Sequence, residues 1–272
     1  MNKIITSLLI TSSFSFNAQL YTPGSGVTDI DGNTYQTIII NGQEWMAENL
    51  RTSKYANGEA IPNVPDSSQW LNLSSGAWVH FNDDSQNEFP FGKLYNWYTV
   101  ADSRNLCPVG WQLPSDSEWT VLTDFLGGEI IAGGKMKIVG TEFWQSPNTD
   151  ATNESGFSGI PAGRRIYTGP YYGLGNYTLW WSTTSDNDTS KAWTRDLHYL
   201  FSSIGRYSND KNIGLSVRCV KNETSGINEL KPTFKSLIRI TDIMGRETVV
   251  KNNEVLFYLY SDGSFEKKVI SE

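Results

Sequence analysis

Ten tryptophans in 272 residues constrain this chain more than any other feature. Each indole is large enough that it must be buried or used as a contact surface. All of them lie between Trp45 and Trp193, among many glycines and turn dipeptides. A domain of that kind must build a bulky aromatic core from short segments, with long loops between them. The same composition excludes other classes. A net charge of −7, a pI near 5.0 and no Lys/Arg run argue against a nucleic-acid binder. Two histidines and two cysteines leave few routes to a metal site, and no C-x-x-C pair exists for a zinc ribbon.

The N-terminal residues read as an export signal. Lys3 precedes an apolar stretch over residues 4–10, and cleavage is expected after Ala18, so residues 1–18 are assigned to a signal peptide. No later stretch has the ~20 apolar residues of a membrane helix, so no transmembrane segment is expected in the mature chain. The expected location is secreted or on the outer cell surface. In an oxidising compartment Cys107 and Cys219 can form the single intramolecular bridge open to them; two buried free thiols are the alternative.

Composition divides the rest. Residues 19–26 read as a Pro/Gly/Ser linker, 27–221 as the Trp-rich domain, 222–234 as a second linker, and 235–272 as a small all-β appendage. In the large domain, residues 34–40 read as a strand. Asn41-Gly42 predicts a type I′ turn into a second strand over 43–49. Ser115 and Glu118 have capping-box spacing, and Trp119, Leu122 and Phe125 or Leu126 fall on one helical face before Gly127-Gly128. A short helix is expected around 95–102, and strands over 179–183, 191–197 and 214–221. Residues 166–178 read as a Tyr/Gly-rich loop. The tail shows three strand-like segments separated by Met244-Gly245 and Asp262-Gly263. Most of Trp45, Trp97, Trp111, Trp119, Trp180, Trp181 and Trp193, which lie in or beside the motifs given next, are expected in the core, with Trp70, Trp78 and Trp144 less constrained.

An ordered set of motifs spans residues 27–221. It includes Val27-Thr28-Asp29-Ile30-Asp31-Gly32-Asn33-Thr34-Tyr35, Gly42-Gln43-Glu44-Trp45-Met46-Ala47-Glu48-Asn49-Leu50 and Gly92-Lys93-Leu94-Tyr95-Asn96-Trp97-Tyr98. Cys107-Pro108-Val109-Gly110-Trp111-Gln112-Leu113-Pro114-Ser115, Trp180-Trp181-Ser182-Thr183 and Gly214-Leu215-Ser216-Val217-Arg218-Cys219-Val220 follow. This block resembles the Fibrobacter succinogenes major paralogous domain family of secreted Bacteroidetes and Fibrobacteres proteins. The resemblance implies an α+β, C-type-lectin-like fold with a twisted antiparallel sheet, two helices and long loops, and a structural Cys107–Cys219 pair. The tail, through Ile240-Thr241-Asp242-Ile243-Met244-Gly245-Arg246 and Lys267-Lys268-Val269-Ile270, resembles the C-terminal sorting domain of the type IX secretion system. That implies the type IX secretion machinery as a partner.

No catalytic motif emerges. A formylglycine-generating oxidase needs reactive thiols, and the family pattern uses both cysteines structurally. His80 and His198 sit in strand-like stretches, and no Gly-x-Ser-x-Gly elbow, phosphate loop or His-Glu-x-x-His motif occurs. The expected function is a binding or adhesion module for a glycan or an extracellular protein. An enzyme on carbohydrate or protein, and a purely structural surface protein, remain the alternatives. The candidate contacts are Tyr167, Tyr171, Tyr172 and Tyr177, whose rings suit sugar stacking, with Arg164 and Arg165 for acidic groups. No cofactor is expected, with calcium at Asp186 and Asp188 as the one candidate. No nucleic-acid partner is expected.

Overall fold

The computed structural model describes residues 19–222, 237–242, 245–250, 253–260 and 265–269. The expected signal peptide, most of the expected 222–234 linker, and the Met244 and Asp262-Gly263 turn positions lie outside the described residues. The chain divides into two compact units at Asn222/Glu223. The larger is mixed α and β, mostly strands with few short helices.

Its first sheet has the order Thr22–Pro23, Thr37–Ile40, Gln43–Met46, Val220–Lys221, Trp111–Gln112. Asn41 and Gly42 both take positive φ, the geometry of the expected type I′ turn, and they set the register Ile38↔Trp45 and Ile40↔Gln43. That register buries Ile38, Ile40 and Trp45 together. Within the segment read as a linker at 19–26, Thr22 and Pro23 form a two-residue edge strand paired to Ile39 and Ile38. A proline is tolerated there because an edge strand does not need every N–H.

The second sheet has the order Tyr171–Leu174, Ala162–Arg165, Tyr177–Ser185, Lys191–His198, Ile204–Asp210. Tyr171–Leu174 lies in what reads as a loop, because its pairing partner Ala162–Arg165 is distant from any regular hydrophobic alternation. The expected 214–221 strand is also different. Gly214 bridges Arg165, Leu215 bridges Tyr95 and Ser216 bridges Trp180, so only Val220–Lys221 remains a strand. The alternation survives: Leu215, Val217 and Cys219 enter one core cluster while Arg218 points away from it.

Two helices pack on this framework. Asp116–Phe125 starts at the expected capping box, with Ser115 Oγ accepting from Glu118 N–H and Glu118 bonding back to Ser115 N–H. It buries Trp119 and Leu122, with Leu126 buried at its C-cap, and the Trp119 ring packs tilted against Trp45 with centroids 4.9 Å apart. Glu129–Met136 is not signalled by the sequence, because Gly133-Gly134 in its middle is a poor helix former by about 1 kcal/mol per glycine. Both glycines are required by packing. A Cβ at Gly133 would run into the Ser203 carbonyl, and one at Gly134 into the Asp150 carbonyl.

The aromatic core differs in detail from expectation. Trp70 and Trp144 are fully buried, whereas Trp97 and Trp193 are only partly so. The Trp193 ring instead carries the Arg206 guanidinium at 3.5 Å. Between these rings, buried cations hold irregular backbone. Arg218 donates to Asn49 Oδ1 at 3.0 Å, to the Phe157 carbonyl, and to the Ser158 carbonyl at 3.2 Å, while its plane lies on Phe157 and Trp180. Burial lowers its pKa to about 9. Lys137 donates to the carbonyls of Thr149, His198 and Phe201, and burial lowers its pKa to about 8.

Within the second unit, Leu237–Thr241, Val255–Tyr260 and Phe265–Val269 form an antiparallel meander in sequence order. Leu256 and Tyr258 are buried on one side. Among the described residues, no helix is long and apolar enough to cross a membrane.

Cys107 and Cys219 are bridged, with a sequence separation of 112 and Cα atoms 6.0 Å apart. The bond ties the Trp111–Gln112 strand to the Val220–Lys221 strand, which pair directly. A loop of that length gives on the order of 4 kcal/mol in the chain-entropy model. Cys107→Ser with Cys219→Ser should therefore lower the urea midpoint and the Tm markedly; an unchanged midpoint would show that the bridge contributes nothing.

Candidate binding groove

The second sheet carries an open groove of about 410 Å³ on one face. Cross-strand register explains which side chains meet there. Tyr177 pairs with His198, Leu179 with Asp196, and Asp196 with Gly205, so these residues alternate onto the same face. Tyr207 and Asn209 follow Gly205 at two-residue steps, and Arg164 enters from the neighbouring strand. The 199–203 turn adds Phe201 as a further wall. Tyr177 stacks on His198 with a 14° angle between the rings, and His198 packs against Phe201 at 5.1 Å. Phe201 and Tyr207 each leave 56% of their surface to solvent.

Asp196 is the polar centre. Its strand partner is glycine, and a Cβ at Gly205 would displace both the Asp196 carboxylate and the Tyr207 ring. Burial raises the carboxyl to about 6, offset in part by a hydrogen bond from the Gly205 backbone and by the charge of Arg164. Among the described residues no cation forms a close ion pair with it. Burial, together with the Lys137 charge beneath the same turn, pushes His198 down. The ring is therefore biased to its neutral form.

Two of the residues singled out from the sequence, Arg164 and Tyr177, line this groove. Tyr172 pairs with Arg164 across the edge strand and is exposed, and Tyr167 is exposed in the preceding turn. Tyr171 faces the other way. Its ring lies on Phe81 and its hydroxyl donates to Asp83. Arg165 is no surface residue. It is fully buried, with its fork on the carbonyls of Val64 and Pro65 at 2.6 Å and its Nε on Gly169. Strand alternation sends consecutive arginines to opposite faces. Asp186 and Asp188 stand in the tight turn before Lys191. Asp188 accepts from Ser190 and lies 3.7 Å from Lys191, and Asp186 accepts from the Asn187 backbone. Among the described residues no three Asp, Glu, His or Cys side chains converge to hold a metal. His80 is taken by Glu88 at 2.8 Å.

Asp196, His198, Phe201 and Tyr207 are what sequence reasoning missed as a group. Their alternation opposite Leu197 looks like any solvent-facing strand edge. Only the third strand and the 199–203 turn recess it.

The raised carboxyl sets a pH prediction. For Asp196 the stability contribution is full at about pH 3, below its ordinary value of 3.8, and is lost as pH rises through about 6. Asp196→Asn should therefore be more stable than the parent at pH 7 by about 2 kcal/mol after allowance for partial exposure, and melt at a higher temperature, with the gap closing at about pH 3. An equal Tm at both pH values would show a solvated carboxylate.

No curated protein and no solved structure matches the chain. The sequence profile of the Fibrobacter succinogenes major domain does match, over residues 38–221, which is more than half of the chain. Its match ends on the Val220–Lys221 strand that closes the first sheet against Gln43–Met46. The chain therefore belongs to the Fibrobacter succinogenes major domain family.

Proposed function

We propose that this protein is a secreted or surface-displayed binding module that recognises a glycan in the Tyr177–Asp196–Tyr207 groove, without catalysis of its own. One observation carries the reading. A desolvated carboxyl lies between aromatic walls, two of which are more than half exposed. Such a carboxyl lowers folded-state stability, and a ligand that donates hydrogen bonds to it would offset that cost. Aromatic faces with polar tips suit the C–H faces and hydroxyls of a sugar ring. Both cysteines are consumed in the bridge, which speaks against a thiol-based oxidase on a related fold.

The finer fold assignment belongs to the same proposal. A C-type-lectin-like core is supported by the Asp116–Phe125 and Glu129–Met136 helices and by the long loops held between them and the sheets. The three-stranded tail is read as a type IX sorting module, supported by its motifs and its antiparallel meander. Export and the outer surface as the destination follow from that reading.

The test is a glycan array probed with the oxidised, full-length mature chain. Binding is expected, and Phe201→Ala or Tyr207→Ala should each weaken it about three- to tenfold without lowering Tm, since both rings are exposed. A clean array, or binding indifferent to both substitutions, would overturn the groove assignment. Separately, deleting residues 235–272 should abolish surface delivery; normal delivery of the shortened chain would remove the sorting role.

A further inference from the structure

The buried and half-buried cations of this unit have almost all been given backbone or carboxylate partners. Arg165 is bound to three carbonyls, Arg218 to two carbonyls and Asn49, and Lys137 to three carbonyls. Arg195 pairs with Asp116 at 2.9 Å, and Lys93 with Glu88 at 2.9 Å. Arg164 differs in having no ion pair among the described residues, although Arg195 too keeps its Nε and Nη1 buried without a hydrogen-bond partner, as Arg164 does its Nε. The Arg164 guanidinium carbon lies 5.5 Å from the centre of the Tyr177 ring. The Oγ of Ser208, in the same lining, is also buried and unpartnered.

Arg164 lines the groove with no ion-pair partner among the described residues, and a guanidinium left so is costly unless something pairs with it. Its planar fork matches an oxyanion in a bidentate geometry, which neither a hydroxyl nor an amide reproduces. Asp196 is the one acidic side chain in the lining, against Arg164, and the Lys137 ammonium lies beneath the 198–201 turn.

Resting on the glycan-binding reading above, we propose that the groove selects an anionic saccharide, with the sugar's oxyanion held on the Arg164 guanidinium and ring hydroxyls donating to Asp196. A uronate carboxylate and a sulfate ester share this chemistry, and the experiment separates them.

Affinity of the full mature chain would be measured by calorimetry for an oligogalacturonide, a sulfated galactan and a neutral galactan. The acidic ligands should bind about tenfold or more tightly than the neutral one, as a charge-assisted bond implies. That preference should shrink as NaCl is raised from 50 to 500 mM. Whichever acidic arm is tighter identifies the oxyanion. Arg164→Gln should collapse the acidic-to-neutral ratio to near one, and Arg164→Lys should restore part of it. Thermal denaturation of both variants checks folding, and the salt series on the parent chain tests the proposal without them. Equal affinity for neutral and acidic sugars, or an undiminished ratio in Arg164→Gln, would overturn it while leaving glycan binding intact. No binding to any sugar would overturn both.

Discussion

Backbone carbonyls that no strand or helix satisfies must still find donors when they are buried. This fold has long irregular stretches, and it meets that demand with cations rather than with more regular structure. Arg218 is the central case. It gathers the 157–158 turn and Asn49, and its plane fills the space between Phe157 and Trp180, so one side chain joins both sheets to the loop between them. Arg165 does the same for the 64–65 segment and the Gly169 turn. A guanidinium has five donors in a fixed plane, which lets it satisfy several carbonyls and stack on aromatics at once. The tryptophan content and the buried arginines are thus parts of a single packing solution.

The groove depends on that solution. Lys137 caps the Glu129–Met136 helix through its backbone N–H on the Gly133 carbonyl, while its ammonium bonds the carbonyls of His198 and Phe201 and so positions the turn that walls the site. The Gly133-Gly134 pair lets that helix press against Ser203. Under these constraints Asp196 is left in a partly dry position without a counter-ion, and Arg164 with a donor unmet. Unpartnered buried polar atoms occur elsewhere in the unit too, at Tyr55 and Arg195 among others, but Arg164 and Ser208 share one groove with the carboxyl of Asp196.

Much of the local structure was legible in the residues. The capping box at Ser115 and the Asn41-Gly42 turn depend on contacts within a few positions, and both form as their spacing indicates. The alternation over 214–221 correctly gave the inward residues but not a continuous strand, because each of those residues pairs with a different distant segment. The site was less legible. Tyr177 and Arg164 were singled out with Tyr171 and Arg165, yet strand parity sends the two pairs to opposite faces, a fact that depends on strands the local pattern did not reveal.

By itself, then, the sequence determined the elements whose energetics are local: caps, tight turns, strand alternation and the family motifs. Only the tertiary structure decided which tryptophans are enclosed, which arginines hold loops, and where an unpaired carboxyl meets an unpaired guanidinium. The physical reason is that a cation's role depends on which carbonyls surround it. Those carbonyls come from segments up to a hundred residues away, as Val64 is from Arg165.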